Sequence, residues 1–323
     1  MGKSVKRKIL SIMFTIVCIA GLAFADTLTI QSDKQVLDGE GNKIHLDGNV
    51  KVQINDVTLT SPRAVGDIDP KTNKLKNANF LDNAYAVQLK GSKKQEIKAE
   101  IIRMSLLTKV LNAQGNTQSI VMEKATPIII VNSDEQSYDT KTDVMSATGA
   151  VIIHYKDLET FSETGKANLT QNGDLKRLEI QGNAKVRQKG NKLDADKFIY
   201  NVSADEFISQ GHAYSDLNPD DETRLQVWSN YQQYNKKSGI VLASGAVKII
   251  YKDYTAWGPR ATAFPDPKTG KLNKIVFQGR SKIEQNGRTI EANHITMTME
   301  PKNFTADGNV ITTIPNAGQL NED

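Results

Sequence analysis

The sequence predicts an all-β protein, an elongated twisted sandwich made from about three tandem units. Apolar residues fall at every second position in many short runs, as in Val50, Val52 and Ile54. This is the period of a strand with one buried face. The chain also repeats parts of its own sequence. Finally, no stretch after the first 25 residues keeps a helical period, and most of the nine prolines lie between the apolar runs.

The repeat defines the predicted units. Residues 48–80 align with residues 245–277 without a gap, and fifteen of the 33 positions are identical. A middle copy is present because GAVIIHYKD (149–157) matches GAVKIIYKD (245–253), although residues 170–178 replace the DPKT loop of the other two copies. The period of about 97 residues predicts one structural unit per copy. The predicted division is a leader, three β units and a flexible tail: residues 1–25, 26–144, 145–240, 241–315 and 316–323.

Short polar pairs and recurring glycines predict how the strands connect. The pairs suit two-residue hairpin turns, because their residues tolerate a positive φ: Asn55-Asp56, Lys156-Asp157, Lys252-Asp253 and Asn286-Gly287. A glycine stands before each Val-x-apolar run and is expected to form a bend or bulge: Gly48, Gly149, Gly182, Gly245, Gly279 and Gly308. Stacked units would leave open edges at the two ends, where another β-protein can add a strand.

The first 25 residues have the layout of a secretory signal peptide. A basic head is followed by an apolar run (9–22) and by Ala23-Phe24-Ala25, so the mature chain is expected to begin at Asp26. An uncleaved membrane anchor is the alternative, since the apolar stretch is nearly long enough to span a bilayer. Cys18 follows Val17 rather than a small residue, which argues against a lipoprotein.

Charge and motif content exclude several function classes. Without the leader, which holds four of the 41 basic residues, the chain is electrically neutral, and overall basicity gives no case for nucleic acid. No cysteine follows the leader. The four histidines (His45, His154, His212 and His294) lack zinc-site spacing, so we expect no metal and no cofactor.

No catalytic residue is predicted, and the protein is not expected to be an enzyme. Nucleophile-elbow and phosphate-loop motifs are absent from the sequence. Asp56, Asp157 and Asp253 recur at equivalent positions, but hairpin turns explain them better than a catalytic triplet.

Residues 28–64 resemble the opening of the periplasmic lipopolysaccharide-transport bridge family (LptA/OstA-like, organic-solvent-tolerance proteins). The resemblance combines an Ile-x-Ser-Asp start, two Gly-Asn pairs, alternating hydrophobic residues and an alanine-containing strand. It is carried by Ile30, Ser32, Asp33, Gly41, Asn42, Gly48, Asn49, Val50 and Ala64. Weaker matches to the same Gly-x-Val and Ala-x-x-apolar pattern continue to residue 314. The resemblance is structural and contains no catalytic motif.

The resemblance implies a β-jellyroll of OstA-like repeats that holds lipid acyl chains in its interior. It further implies a periplasmic location, or an anchored one at the inner membrane if the leader is retained. The implied partners are lipopolysaccharide or a related lipid, the inner-membrane export complex and the outer-membrane assembly barrel. Head-to-tail self-association through edge strands is also implied, because family members stack in this way.

The candidate lipid-groove lining consists of inward positions of the predicted strands. These positions would equally fill the closed core of an ordinary sandwich, and composition does not separate the two readings. The candidate residues are Val50, Val52, Ile54, Ile102, Met104, Val151, Ile153, Tyr155, Phe198, Tyr200, Val247, Ile249, Tyr251, Ile295 and Met297.

The sequence therefore predicts a lipid-binding bridge protein without catalysis. The alternatives are a structural or adhesive repeat protein and a carbohydrate-binding one, in which Trp228 and Trp257 would stack on sugars. An enzyme acting on glycans ranks third. The loop lysines (Lys71, Lys74, Lys268 and Lys271) could contact sugar phosphates, although solvated loop lysines are the commoner case.

Overall fold

The computed structural model describes residues 28–220 and 223–315 and confirms the all-β prediction. The predicted leader and tail lie outside the described residues. Within these two ranges there is no helix of the length and apolarity needed to cross a membrane. The strands are β1 Leu28–Gln31, β2 Lys34–Asp38, β3 Lys43–Ile54, β4 Val57–Ile68, β5 Leu75–Leu81, β6 Ala84–Lys90, β7 Lys93–Ala99, β8 Ile101–Ser105, β9 Val110–Glu123, β10 Thr126–Asp139, β11 Val144–Tyr155, β12 Leu158–Leu169, β13 Leu175–Gln188, β14 Asn191–Asn201, β15 Glu206–Asp220, β16 Thr223–Asn235, β17 Val241–Tyr251, β18 Tyr254–Pro265, β19 Leu272–Gln285, β20 Arg288–Met299, β21 Lys302–Asp307 and β22 Ile311–Thr313.

Antiparallel pairing joins strands through the tight turns that the polar pairs predict. Ile54 pairs with Val57 around Asn55-Asp56, and Tyr251 pairs with Tyr254 around Lys252-Asp253. The first residue of each predicted turn has a positive φ: Asn55 52°, Lys156 56°, Lys252 53° and Asn286 49°. The turn predictions are thus confirmed.

Each long strand is interrupted near its middle and continues in a second layer. In β3 the pairing with β4 shifts between Asp47 and Val50, at Gly48, whose φ is +73°. Residues 57–60 of β4 pair with β6, whereas residues 63–68 pair with β5. One strand therefore serves two layers, and in β3 the glycine bend predicted from the sequence marks the change of layer.

The bends share one local geometry. Gly115 has a φ of +81°, and a Cβ there would lie 2.6 Å from Cδ of Glu100, which stands at the interruption between β7 and β8. The amide of Asn116 donates to Glu100 Oε1 (2.9 Å), and Glu100 N donates to Gly115 O (3.1 Å). The same acid–Gly–polar arrangement recurs at Asp33/Gly48/Asn49, Glu163/Gly182/Asn183 and Asp196/Gly211/His212. Gly115 and Gly211 complete a series that the sequence analysis recognised only in part.

The chain divides into two compact units. Unit 1 comprises residues 1–145 with 171–173, and unit 2 comprises residues 146–170 with 174–323. The three-unit division (26–144, 145–240 and 241–315) stays a prediction.

Each unit contains two layers, which we call A and B. In unit 1, layer A consists of β2, β5, β8 and residues 43–47, 63–68, 110–114 and 135–139. Layer B of unit 1 consists of β1, β6, β7 and residues 50–54, 57–61, 117–123 and 126–133. In unit 2, layer A is the layer that contains β21, and layer B is the layer that contains β22. Buried residues from both layers of unit 2 join in one cluster that includes Ala243, Val247, Phe277 and Ile283.

The DPKT loops are turns organised by an aspartate. Asp69 Oδ1 accepts the backbone N–H groups of Lys71 (2.9 Å) and Thr72 (3.1 Å), and Asp266 does the same with the equivalent residues of the other copy. Asp139, between β10 and β11, accepts from Lys141 and Thr142 in a third such turn, outside the aligned copies. These N–H donors stabilise the charged carboxylate and hold the pKa of all three aspartates below the usual range.

Gly115→Ala is expected to destabilise the protein by about 1–3 kcal/mol, because the methyl group meets the Glu100 side chain and a positive φ strains alanine. Urea unfolding would measure the change. Gly39→Ala is the matched control in the same unit, since nothing lies within 4 Å of its added Cβ and its φ is not positive. Equal effects of the two substitutions would contradict the geometry of the bend.

Acidification is expected to reduce stability as the pH falls from the ordinary aspartate pKa of about 4 through the lower pKa values of the folded state. Stability falls with pH because these aspartates have a higher pKa in the unfolded chain, which therefore takes up protons before the folded chain does. Asp69→Ser, Asp139→Ser and Asp266→Ser combined should lessen the loss, since serine accepts turn N–H groups without titrating. Thermal unfolding at pH 6 and pH 2.5 tests this, and an unchanged pH dependence would contradict it.

Candidate functional site

All fifteen candidate groove residues lie in the interior. None exposes more than 9% of its surface, and Val50, Val52 and Val151 expose only 1%. In unit 1, residues 50–54 come from layer B, whereas Ile102 and Met104 come from layer A. The structure thus brings inward residues of both layers together, as their alternation predicts. Whether these residues contact lipid stays a prediction.

The interior is closed rather than open as a trough. The enclosed space in unit 1 is about 10 Å³, which is room for about one water molecule. Its wall includes Val57, Gln88, Gln95, Leu111, Tyr138 and Met145, from both layers and the start of β11. The fifteen candidate positions leave no unsealed slot beside them, so a fatty chain can be accommodated there only if the layers separate.

Polar residues interrupt the apolar interior at two equivalent places. Ser119 Oγ donates to Gln136 Oε1 in unit 1, and Ser215 Oγ donates to Gln232 Oε1 in unit 2. Both pairs have the same sequence separation, and all four residues are at most 5% exposed. The Gln232 amide also donates to Ala213 O (3.2 Å) and Val227 O (3.1 Å). These pairs were not predicted from the sequence, although a serine and a glutamine at inward positions of both repeat copies were a usable signal.

The two layers are joined differently along their two sides. At the bends the chain itself passes between layers, and backbone hydrogen bonds such as Asn293 N to Gly308 O (2.8 Å) link neighbouring bends. Along the opposite side, which we call the seam, hairpin ends of one layer meet hairpin ends of the other through side chains. The seam contacts are Lys90–Asp143 in unit 1 and Tyr155–Tyr200, Tyr254–Phe304 and Lys302–Asp253 in unit 2.

Two seam tyrosines are held by aspartates across their own hairpins. The hydroxyl of Tyr138 donates to Asp143 (2.8 Å), and the hydroxyl of Tyr200 donates to Asp205 (3.0 Å). Burial, followed by the adjacent carboxylate, raises the pKa of both tyrosines well above the usual range. Both side chains therefore remain neutral donors at physiological pH.

The three recurrent turn aspartates form structural contacts. Asp56, Asp157 and Asp253 each accept a hydrogen bond from a glutamine on a neighbouring strand: Gln88 (2.7 Å), Gln188 (3.0 Å) and Gln285 (2.5 Å). These glutamines lower the pKa of Asp157 and Asp253. The arrangement ties a turn to a strand, and it agrees with the interpretation of these aspartates as hairpin residues.

The tryptophans lie on the outer face of layer B in unit 2. The Tyr214 ring lies 4.9 Å from the Trp228 ring, Lys248 lies over Trp228 (5.2 Å), and Lys282 lies over Trp257 (5.4 Å). These side chains pack in a cross-strand row on the outer face rather than in the core. A sugar stacking on Trp228 would have to displace Tyr214 or Lys248.

The remaining candidates form no chemical site. In residues 28–220 and 223–315, no group of three or more His, Cys, Asp and Glu side chains could hold a metal ion. His154 is 3.8 Å from Glu159, and His212 is 2.9 Å from Asp196, in separate exposed pairs. The four loop lysines are exposed, and a role in binding sugar phosphates stays untested.

Comparison with known proteins gives partial similarity to solved structures. No family model and no curated protein matches the chain. Among 21 matching chains of solved structures is LptH of Pseudomonas aeruginosa, described as the LptA-homologous periplasmic component of the conserved lipopolysaccharide transport device. The two chains share 16% identity over 39% of this chain and 84% of that chain, with a TM-score of 0.34.

Ser215→Ala is expected to destabilise unit 2 by about 1–3 kcal/mol, because buried Gln232 Oε1 loses its donor. Ser203→Ala is the control, since Ser203 lies in an exposed turn of the same unit. Chemical unfolding measures both variants. A neutral Ser215→Ala would contradict the assigned hydrogen bond.

Proposed function

We propose that the protein is a periplasmic carrier that moves lipopolysaccharide, or a similar envelope lipid, between the inner and outer membranes without catalysis. The observation that carries the proposal is the two-layer interior, in which inward apolar residues of both layers face one another and the chain passes between the layers on one side only. The sequence resemblance of residues 28–64 to lipopolysaccharide-transport bridge proteins and the predicted export leader support the same function.

The energetics suit a carrier with no catalytic step of its own. Moving each methylene from an apolar interior into water costs about 0.8 kcal/mol, so an acyl chain of about a dozen carbons faces a barrier of order 10 kcal/mol if it is released freely. A protein interior that receives the chain removes that barrier while leaving net transfer nearly neutral. The direction of transport would then be set by the partners.

The proposed partners are the inner-membrane export complex and the outer-membrane assembly barrel of the same pathway, together with further copies of this chain. Each unit has an edge strand that is exposed along its whole length: β2 in unit 1, with Leu37 68% exposed, and β22 in unit 2, with Ile311 54% exposed. Exposed edge strands with apolar side chains support joining by strand addition. No role in binding nucleic acid is proposed.

A structural or adhesive repeat protein is the second candidate, and the closed interior favours it. Interior residues that expose at most 9% of their surface are what an ordinary sandwich core requires. This candidate predicts that purified protein carries no lipid and that depletion leaves the envelope intact.

Photocrosslinking in cells separates the two candidates. Photoreactive residues at Val52, Ile153 and Ile249, which face inward, should capture lipopolysaccharide, whereas their outward neighbours Lys51 and Lys248 serve as controls. Mass spectrometry would identify lipid bound to the purified protein. Capture only at the outward positions, or the absence of any lipid from both experiments, would overturn the proposed function.

A further inference from the structure

The inward faces of β6 and β7 in unit 1 change character from the bends towards the seam. Near the bends the inward residues are small or apolar: Ala84, Ala86, Ile97 and Ala99. Next come Gln88 and Gln95, which are cross-strand partners and each 6% exposed. At the seam stand Lys90 and Lys93, also cross-strand partners. Along this one hairpin, the inward side chains therefore change from apolar at the bends to amides and then to cations at the seam.

The cationic end of this hairpin is bridged to the other layer. Lys90 forms an ion pair with Asp143, which lies in the turn between β10 and β11, and the two side chains are only 13% and 10% exposed. Asp143 also accepts the hydroxyl of Tyr138 from layer A. A buried ion pair is costly to break by removing one partner, but it can exchange partners when another charge takes the vacated place.

Unused hydrogen-bonding groups lie behind this ion pair. Gln88 Oε1 and Gln95 Nε2 are buried and have no hydrogen-bond partner in the described part of the chain. Both side chains line the small cavity of unit 1, together with Tyr138. Because buried polar groups are normally paired, an unpaired acceptor and an unpaired donor on two side chains that line one cavity indicate a place for a polar ligand group or water.

We propose that the Lys90–Asp143 pair is a latch over a lateral opening in unit 1, through which an anionic-headed acyl lipid inserts. The lipid's anionic group replaces Asp143 as the partner of Lys90. Its polar linkage contacts Gln88 and Gln95. Its acyl chain occupies the apolar part of the interior beside Ala84, Ala86 and Ile97. This inference rests on the proposed function and adds the place of insertion and the charge of the headgroup.

Bridging the latch covalently tests the opening. Lys90→Cys with Asp143→Cys, in a Cys18→Ser background, is joined by a bismaleimide linker that contains a reducible disulfide. A linker is used because a lysine side chain reaches farther than a direct disulfide spans. The control is Leu89→Cys with Lys94→Cys, which joins two exposed partners within layer B. The probes are cis-parinaric acid, a fluorescent fatty acid, and its uncharged methyl ester.

The bridged latch is expected to slow uptake of both probes by about ten-fold or more, because the layers can no longer separate there. Reduction of the linker should restore uptake in the same molecules, and the bridged control should behave like the native chain. Equal uptake by bridged and reduced latch protein overturns the lateral opening while leaving the carrier function intact. Failure of the native chain to take up either probe, or labelled lipopolysaccharide, overturns the carrier function itself.

Lys90→Met tests the headgroup charge. The native chain should prefer the acid over the ester by about ten-fold, since a charge-assisted contact at a partly buried ammonium is lost with the ester. The variant should lose that preference and take up the ester faster, because the latch is gone. An unchanged preference for the acid would overturn the role of Lys90.

Discussion

The structure depends on one constraint near the middle of several long strands, where a residue pair with positive φ turns the chain from one layer into the next. Gly48 and Asn49 adopt this conformation in β3, and Gly182 and Asn183 adopt it in β13. Glycine is required because the carboxylate of the preceding strand occupies the place of its Cβ. Repetition of this bend lets antiparallel hairpins build two facing layers within each unit without long crossovers.

The bend also makes the two sides of the sandwich unequal. One side is continuous chain with backbone hydrogen bonds, so it cannot open without breaking the fold. The seam is held by side-chain contacts: an ion pair in unit 1 and, in unit 2, aromatic contacts together with Lys302–Asp253. Local opening between the layers is expected where the contacts are weaker, which is along the seam. A ligand that enters the interior would therefore do so from the seam.

The interior itself is not uniformly apolar. The buried Ser119–Gln136 and Ser215–Gln232 pairs place amide and hydroxyl groups among valine and isoleucine side chains. Because these polar groups satisfy one another, they fix the pairing of β9 with β10 and of β15 with β16. A fatty chain passing such a pair would meet hydrogen-bonded groups, which favours discrete apolar segments over one continuous channel.

The sequence by itself determined the strands, the turns and most of the bends, because each depends on residues close together in the chain. The alternation at Val50, Val52 and Ile54, the Asn55-Asp56 turn and the glycines of most bends were readable in this way, whereas Gly115 and Gly211 were not recognised. The sequence also yielded the set of inward residues, since alternation alone assigns a face. The Asp139 turn was equally local, but it lay outside the aligned copies and was missed.

Only the tertiary structure decided how the two layers face one another and whether the interior is open. Lys90 and Asp143 lie 53 residues apart, and nothing in either segment indicates that they meet across the seam. The burial of the fifteen inward residues likewise depends on the distance between the two layers. The alternation of apolar residues along a strand does not determine that distance. Contacts between layers join distant parts of the chain, so their geometry exists only once the bends have folded the strands together.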